Sequence, residues 1–316
     1  MKPFFPAYLN LAQGDLEKRI TIATSMLLEC RLCARACEIN RLSKSAGSSK
    51  CATGSRARLI TYSQNFSEEK LLIGERGSGV IFFGGLSLKY QFSPNYEVHK
   101  GEKGIEVDPE QLAAIMLELQ DLGCHNINLV SPGHVVPQIL ESLKVALRAG
   151  FALPLVFNSD GYESISTLRL LDGIVDIYVV DMRYGDPAVA ERFSHVADYV
   201  TVNRETAREM HRQVGDLVVG EDGIAKHGLI IRHMILPRNL AGTDDVSWFI
   251  VDELSPDSYV NIIRRYRPSL GNTVPEMNRP ITDQEYAAAL QWVKHVGLHR
   301  ISPEIEMRKQ ANTEPT

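Results

Sequence analysis

The chain has 316 residues, of which 44% are hydrophobic and 23% charged, with a net charge of −5 and a pI near 6.0. This composition excludes wholesale disorder, gives no reason to expect nucleic acid as a partner, and contains no apolar run close to the roughly 18 residues of a membrane span. The amino terminus lacks the apolar stretch of a secretory signal, so we predict a cytoplasmic protein whose cysteines are reduced.

The first 75 residues are predicted to form a small helical, cysteine-rich module. An amphipathic helix is expected over residues 15–29, where apolar side chains recur at helical spacing and lead into Cys30. Residues 38–56 are polar, small and glycine-containing, which is typical of a loop. Four of the five cysteines lie in this region, at Cys30, Cys33, Cys37 and Cys51.

From residue 76 onwards the pattern alternates between strands and helices. Six strands are predicted, at VIFFGG, HNINLVSPGH, LPLVFNSDG, VDIYVVDM, residues 229–236 and SYVNIIRRY, the fifth following a hairpin that turns at Asp222-Gly223. Helices are predicted from Asp108 and at residues 137–149, 162–171, 197–214 and 283–296. Residues 76–300 should therefore form one α/β domain, a barrel or an open parallel sheet, with residues 301–316 as a frayed tail.

The clustered cysteines have the spacing Cys-x2-Cys-x3-Cys-x13-Cys. Thiolates in this arrangement bind a tetrahedral zinc ion or an iron–sulfur cluster, and the spacing does not distinguish between these two. The alternative is that the four pack as small apolar residues, but Arg31, Arg35 and Asn40 provide a poor apolar environment. We therefore predict that the four cysteines are metal ligands.

Polar residues follow four of the predicted strands. They are His134, Asn158, Asp160, Asp181, Arg183, Arg232 and His233. Polar groups that converge at strand ends are the usual signature of a binding site in such folds. Each alone has an ordinary structural explanation, because Asp and Asn cap helices and turns and a single histidine often only forms hydrogen bonds. The predicted lining of a small-ligand pocket is Asn158, Asp181, Arg232 and His233.

The chain resembles the radical S-adenosylmethionine proteins related to the pyruvate formate-lyase activating enzyme. The resemblance runs from about residue 8 to residue 298, through CRLCARACEINR, GERGSGVIFFGG, NYE, HNINLVSPGH, NSDGYE, LLDGIVDIY, IRHMILP and NRPITDQEY. It implies a partial (β/α)6 barrel that follows the small four-cysteine module. It also implies a 4Fe-4S cluster on a CxxxCxxC loop after the first barrel strand, where the cluster binds S-adenosylmethionine and supplies an electron.

The loop that should hold this cluster has none of the expected cysteines. It reads FFGGLSLKYQFSPNYE, with Leu86, Tyr90 and Ser93 at the three ligand positions. Leucine has no donor atom, and neutral hydroxyl groups are poor ligands for an iron–sulfur cluster. Further departures from the family pattern occur on the same rim: Asp160 replaces serine, Arg183 replaces lysine, Gly84 replaces a small polar residue and Pro94 replaces glutamine, while Arg238 and Asn239 stand where glycine and histidine are more usual.

The sequence leaves three hypotheses open. The first is a pseudoenzyme that carries zinc or an iron–sulfur cluster on the amino-terminal cysteines and acts by binding a protein partner or a small ligand. The second is an iron–sulfur enzyme with a cluster on Cys30, Cys33 and Cys37, from which Cys51 is released. The third is a non-radical protein that retains a pocket for S-adenosylmethionine, lined by the four residues predicted above.

Overall fold

The computed structural model describes residues 4–43, 49–88, 104–268 and 275–302. The strands are β1 (Ala57–Asn65), β2 (Ser78–Phe83), β3 (Ile105–Val107), β4 (Ile127–Val130), β5 (Leu155–Ser159), β6 (Ile177–Asp181), β7 (Val218–Val219), β8 (Ala225–Met234) and β9 (Tyr259–Ile263). The helices are α1 (Asp15–Ser25), α2 (Lys70–Ile73), α3 (Pro109–Asp121), α4 (Val136–Arg148), α5 (Ile165–Arg169), α6 (Pro187–Ser194), α7 (Tyr199–Val214), α8 (Thr243–Glu253) and α9 (Asp283–His295). None of the helices in these ranges is both long and apolar enough to cross a membrane.

Six strands run parallel, in the order β2-β4-β5-β6-β8-β9. β1 lies antiparallel against β2, and β3 lies antiparallel against β1, so this side of the sheet ends in an antiparallel extension. β7 forms the predicted hairpin with the start of β8. Among the described strands no ladder joins β9 to β2 or β3, and the sheet is therefore unclosed. The predicted α/β fold, a partial barrel with six parallel strands, is confirmed.

The two faces of the parallel strands pack differently, because successive residues of a strand point to opposite sides. One face packs against the helices in the main hydrophobic core, with side chains such as Ile81, Phe157 and Ile231. The concave face forms a second, smaller core from Leu72, Val156, Ile177, Val179, Leu217, Ala225 and Ile230. Leu72 belongs to α2, so the connection between β1 and β2 enters the concave side of the sheet.

Several elements differ in extent from the sequence prediction. α1 ends at Ser25, and turns follow it, so that the backbone N–H of Cys30 donates to Ile39 instead of continuing the helix. α5 covers only Ile165–Arg169, and β1 was not predicted at all. β1 belongs to the predicted amino-terminal module by residue number, yet it is hydrogen-bonded to β2. The domain boundary at residue 75 stays a prediction, and the predicted tail beyond residue 302 lies outside the described residues.

Candidate functional site

A layer of polar side chains lies on the concave face above the smaller core. Arg232 on β8 donates from Nε to Oδ1 of Asp181 over 2.6 Å, and from Nη2 to Oδ1 of Asn158 over 2.9 Å. The parallel register explains this contact, because Asp181 on β6 is the direct neighbour of Arg232 on β8. The structure thus brings together three of the four predicted pocket residues.

A second guanidinium group joins the same layer. Arg183 is 5% exposed and donates to Oδ1 of Asp160 over 2.6 Å and to Oδ2 of Asp181 over 2.5 Å. Burial by itself raises the pKa of Asp181, but Arg232 and Arg183 outweigh burial and hold this pKa below its usual value. Both oxygen atoms of Asp181 accept hydrogen bonds from guanidinium groups, which favours its ionised form.

The two histidines near the strand ends have structural roles. His233 points to the opposite face from Arg232, where its ring nitrogens contact the carbonyl of Met182 at 2.7 Å and Oγ1 of Thr243 at 2.9 Å. His134 contacts the carbonyl of Gly84 at 2.9 Å. Burial lowers the pKa of each histidine to about 4, so both are neutral at pH 7. His233 is therefore separated from the three pocket residues with which it was predicted.

The segment that carries the four cysteines, residues 26–43 and 49–56, packs onto the carboxyl ends of the parallel strands. We call it the cysteine segment. Arg41 is 1% exposed and donates to the carbonyl of His134, after β4, over 2.6 Å, and to the carbonyl of Gly54 over 2.9 Å. Cys33 forms an isolated antiparallel bridge with Glu163, which follows β5. The segment is thus anchored to the exits of two neighbouring strands.

A third contact lies at the exit of β2. A methyl group added at Gly85 would stand 2.3 Å from the carbonyl oxygen of Cys51, so only glycine fits beneath this part of the cysteine segment. Arg35 donates to the carbonyl of Ser87 over 2.8 Å in the same loop. The cysteine segment therefore covers the strand ends of β2, β4 and β5, at the edge where a site in this type of fold is expected.

The thiols themselves are mostly shielded from solvent. Cys30, Cys33 and Cys51 are buried and Cys37 is half-buried, and Cys30 packs with Leu27 and Leu32 in a small apolar cluster. Burial raises the pKa of Cys33 to about 12. Within the described ranges no three Cys, His, Asp or Glu side chains converge in a metal-binding arrangement. As placed, the four thiols do not form a coordination shell, and metal binding by them stays a prediction.

The loop after β2 is described only as far as Leu88. Leu86, the first of the three positions that hold cluster cysteines in the resembled proteins, is 3% exposed and apolar. Tyr90 and Ser93 lie outside the described residues. The described part of this loop, residues 84–88, contains no cysteine, histidine or acidic side chain.

Sequence reasoning missed a buried acid beside the cysteines. Glu163 is 4% exposed and accepts a hydrogen bond from Ser159 over 2.7 Å. Burial raises its pKa to about 7. Its Oε2 has no hydrogen-bond partner among the described residues, and a methyl group at Gly133 would overlap this oxygen at 1.8 Å. The sequence around Glu163 resembles a turn and gives no signal of this position.

Sequence reasoning also missed a cavity of about 220 Å3 at the open side of the sheet. The connection between β1 and β2 contributes Glu68 and Glu69 to its wall, and β9 contributes Asn261. Nδ2 of Asn261 donates to Oε1 of Glu69 over 2.6 Å. We call this space the seam cavity, because it lies between the edge strand β9 and the β1–β2 connection. Arg232 lines it and joins it to the polar layer.

Similarity to known proteins extends over most of the chain. No protein-family model matches the sequence. The uncharacterized protein MJ0674 of Methanocaldococcus jannaschii is 27% identical over 298 residues, which cover 90% of this chain and 80% of that protein. HydG, a maturase of the FeFe hydrogenase, is similar in structure with a TM-score of 0.48 and 10% identity, over 93% of this chain and 57% of HydG. A radical SAM methyltransferase from Sphaerobacter thermophilus has a TM-score of 0.47 and 11% identity, over 94% of both chains.

Proposed function

We propose that this chain is a degenerate radical S-adenosylmethionine-like protein that has lost the radical step and acts by binding a protein partner or a small ligand. The observation that supports this most directly is the burial of Leu86, which is 3% exposed in the loop after β2. A leucine packed into the interior has no donor atom for iron. Without that cluster, the loop after β2 has no electron source for cleavage of S-adenosylmethionine.

The polar layer gives a second argument for a lost activity. Asp160 and Arg183, both departures from the family pattern, form an ion pair with each other. Arg232 and Asp181 form another, and Asn158 accepts from Arg232. Binding of a polar cofactor needs donors and acceptors that remain available to it. In this layer they are used for contacts between the side chains themselves.

The four amino-terminal cysteines are the proposed ligands for zinc or an iron–sulfur cluster. Their thiols would have to lose protons and move together, because metal ligands are thiolates and these thiols do not converge in the metal-free fold. The segment that carries them is short and is held at the strand ends mainly through Arg41, Cys33 and Cys51. Metal binding would therefore rearrange one segment and leave the sheet unchanged.

Metal and sulfide analysis of protein purified without oxygen tests this part of the proposal. We expect either about one zinc per chain without sulfide, or several irons per chain with inorganic sulfide, and in both cases we expect Cys33→Ser to lower the metal content. Cys124→Ser is the matched control, because Cys124 is also buried but lies away from the cluster of cysteines in the sequence. Protein without bound metal, or equal metal content in Cys33→Ser and Cys124→Ser, would contradict the assignment.

A second candidate function is supported by the position of the cysteine segment. Since this segment covers the exits of β2, β4 and β5, a cluster on its cysteines would lie close to the strand ends, as catalysis by an iron–sulfur enzyme requires. The assay is cleavage of S-adenosylmethionine by reconstituted, reduced protein. Formation of 5′-deoxyadenosine would replace the first proposal with this one. Absence of that product, with saturable heat from S-adenosylmethionine in calorimetry, would favour the non-radical binding protein.

A further inference from the structure

We propose that the seam cavity binds a small compound with a primary ammonium group. The cavity measures about 220 Å3, below the range typical of sites for drug-sized ligands, so its ligand has few atoms. Its wall is formed by Ser67, Glu68, Glu69, Arg232 and Asn261, together with residues 262–265 of β9 and its exit, of which Arg264 pairs with Asp283. This inference goes beyond the proposed function, because it uses other residues than the cysteine segment.

A buried carboxylate oxygen without a partner is the main argument. Glu69 is 4% exposed, its Oε1 accepts from Asn261, and its Oε2 has no hydrogen-bond partner in the described part of the chain. A buried acceptor that lacks a donor costs about 1–3 kcal/mol, and more when it is charged. A ligand with N–H donors in the cavity would remove this cost.

The charges around the cavity require a cation and not an anion at this place. Burial raises the pKa of Glu68, with Glu69 and Asp181 acting in the same direction, while Arg232 acts against them. Arg232 is already bound to Asp181 and Asn158. Two carboxylates, Glu68 and Glu69, therefore face the cavity without a guanidinium group that is committed to them.

An organic cation fits these carboxylates better than a metal ion. No three Cys, His, Asp or Glu side chains converge in a metal-binding arrangement within the described ranges. A primary ammonium group has three N–H donors and no acceptor, which suits two adjacent carboxylates. Asn128, which is 0% exposed, lies beside Glu68, where its side chain acts against burial and lowers the pKa of that carboxyl.

A second cavity, of about 350 Å3, lies beyond the end of β8 between α8 and α9 and lacks this feature. Its acidic and hydroxyl side chains are paired: Glu285 with Arg279, Asp244 with Asn239, and Thr243 with His233. The seam cavity is distinguished by an unpaired buried acceptor. The ammonium group of its ligand belongs either to a simple amine or to an amino acid. Arg265 lies at the exposed end of the cavity, where it can bind the carboxylate of an amino acid.

Calorimetry on the full chain with n-propylammonium chloride, L-alanine and the neutral n-propanol tests the proposal. We expect saturable heat from at least one of the two ammonium compounds and none from n-propanol. The Glu69→Gln variant should bind the ammonium compound at least about tenfold more weakly, the effect of a lost charge-assisted hydrogen bond. Glu253→Gln is the matched control, because Glu253 is an exposed glutamate paired with Arg208 at the surface.

The outcomes separate the sources and can overturn the proposal. Weaker binding of L-alanine to Arg265→Ala, with n-propylammonium binding unchanged, would identify an amino acid. If Arg265→Ala binds L-alanine and n-propylammonium as tightly as the unmodified chain does, the ligand is a simple amine. Lack of saturable heat from either ammonium compound with the unmodified chain would overturn the proposal, as would undiminished binding to Glu69→Gln. If Glu69→Gln does not fold, Glu68→Gln replaces it with the same expectation. Neither result depends on whether the cysteines hold metal or the chain cleaves S-adenosylmethionine.

Discussion

Arg183 forms ion pairs with two carboxylates at once. Its guanidinium group is 5% exposed and donates to Asp160 and to Asp181. Removing one partner of a buried ion pair leaves an uncompensated charge, which costs several kcal/mol. The contact between Asp160 and Arg183 therefore couples these two positions energetically.

A double-mutant cycle measures the energetic coupling between Asp160 and Arg183. We expect Asp160→Ser and Arg183→Lys each to lower the free energy of unfolding by about 1–3 kcal/mol, and the double variant to lose less than the sum. Urea denaturation provides the three differences. The same cycle on the exposed pair Arg208 and Glu253 is the control and should show a coupling below about 1 kcal/mol. Additive effects at Asp160 and Arg183 would contradict the coupling.

Asp176 makes the stability of the chain depend on pH. Its carboxyl accepts hydrogen bonds from the backbone of Ala7 over 2.8 Å and of Leu155 over 2.9 Å. Burial nevertheless raises its pKa to about 7, against an ordinary value of 3.8. A carboxyl whose pKa is higher in the folded state stabilises the fold at low pH, and this contribution is lost as the pH rises from about 4 to about 7.

The comparison with Asp176→Asn isolates this contribution. The difference in unfolding free energy between the unmodified chain and the variant should fall, on the order of a few kcal/mol, between pH 4 and pH 8. This difference falls because asparagine at position 176 cannot ionise, whereas Asp176 becomes a buried anion as the pH rises. Chemical denaturation across this pH range provides the measurement. A difference that stays constant, or that rises with pH, would contradict the assignment.

At the level of elements, the sequence predicted what a local repeat or cap specifies. α3 and α9 begin where expected because Asp108 and Thr282 form capping boxes with Gln111 and Glu285. β1 was missed because its sequence mixes polar and apolar residues and it is stabilised by pairing with β2. α2 has four residues, too few for any periodicity to be visible.

The same distinction, between features specified by local sequence and features specified by distant contacts, applies to the candidate site. Asn158, Asp181 and Arg232 could be predicted as neighbours because parallel strands end at one edge of the sheet. Glu69 and Glu163 enter the site from connections whose path depends on contacts far away in the sequence. Glu69, for example, bonds Asn261, which is 192 residues away. Long-range contacts of this kind are not visible in the local pattern.

α2 tests whether the connection between β1 and β2 is an integral part of the core. Leu72 is 0% exposed and packs against the concave face of the sheet. We expect Leu72→Ala to lower the free energy of unfolding by about 2–5 kcal/mol, because it leaves a cavity in a closely packed core. Leu28→Ala is the control, since Leu28 is 55% exposed, and it should change the free energy by about 0.5 kcal/mol or less. Equal effects in urea denaturation would show that α2 does not anchor the connection.

At the scale of the whole molecule, the cysteine segment and the barrel are joined by a small number of buried contacts. Arg41 provides the most extensive of these, since it bonds the carbonyl of Gly54 within the segment and the carbonyl of His134 on the barrel. The same guanidinium group lies 3.8 Å from Sγ of Cys30. One side chain thus connects the predicted metal ligands, the loop that carries Cys51 and the exit of β4.

Replacing Arg41 should therefore release the segment from the barrel without unfolding the sheet. Arg41→Met keeps an apolar stem but removes the donors to the buried carbonyl of His134 and the half-buried carbonyl of Gly54, and we expect a loss of about 2–4 kcal/mol. Hydrogen exchange read by mass spectrometry should show faster exchange in residues 26–43 and 49–56, with β4, β5 and β6 still protected, because proteins open locally in cooperative units. Arg31→Met is the matched control, since Arg31 is 55% exposed and pairs with the surface residues Glu29 and Glu38. Unchanged exchange in Arg41→Met would mean that the contacts of Cys33 and Cys51 hold the segment in place without Arg41. Exchange that rises equally throughout the sheet would mean that the segment and the barrel unfold as one unit.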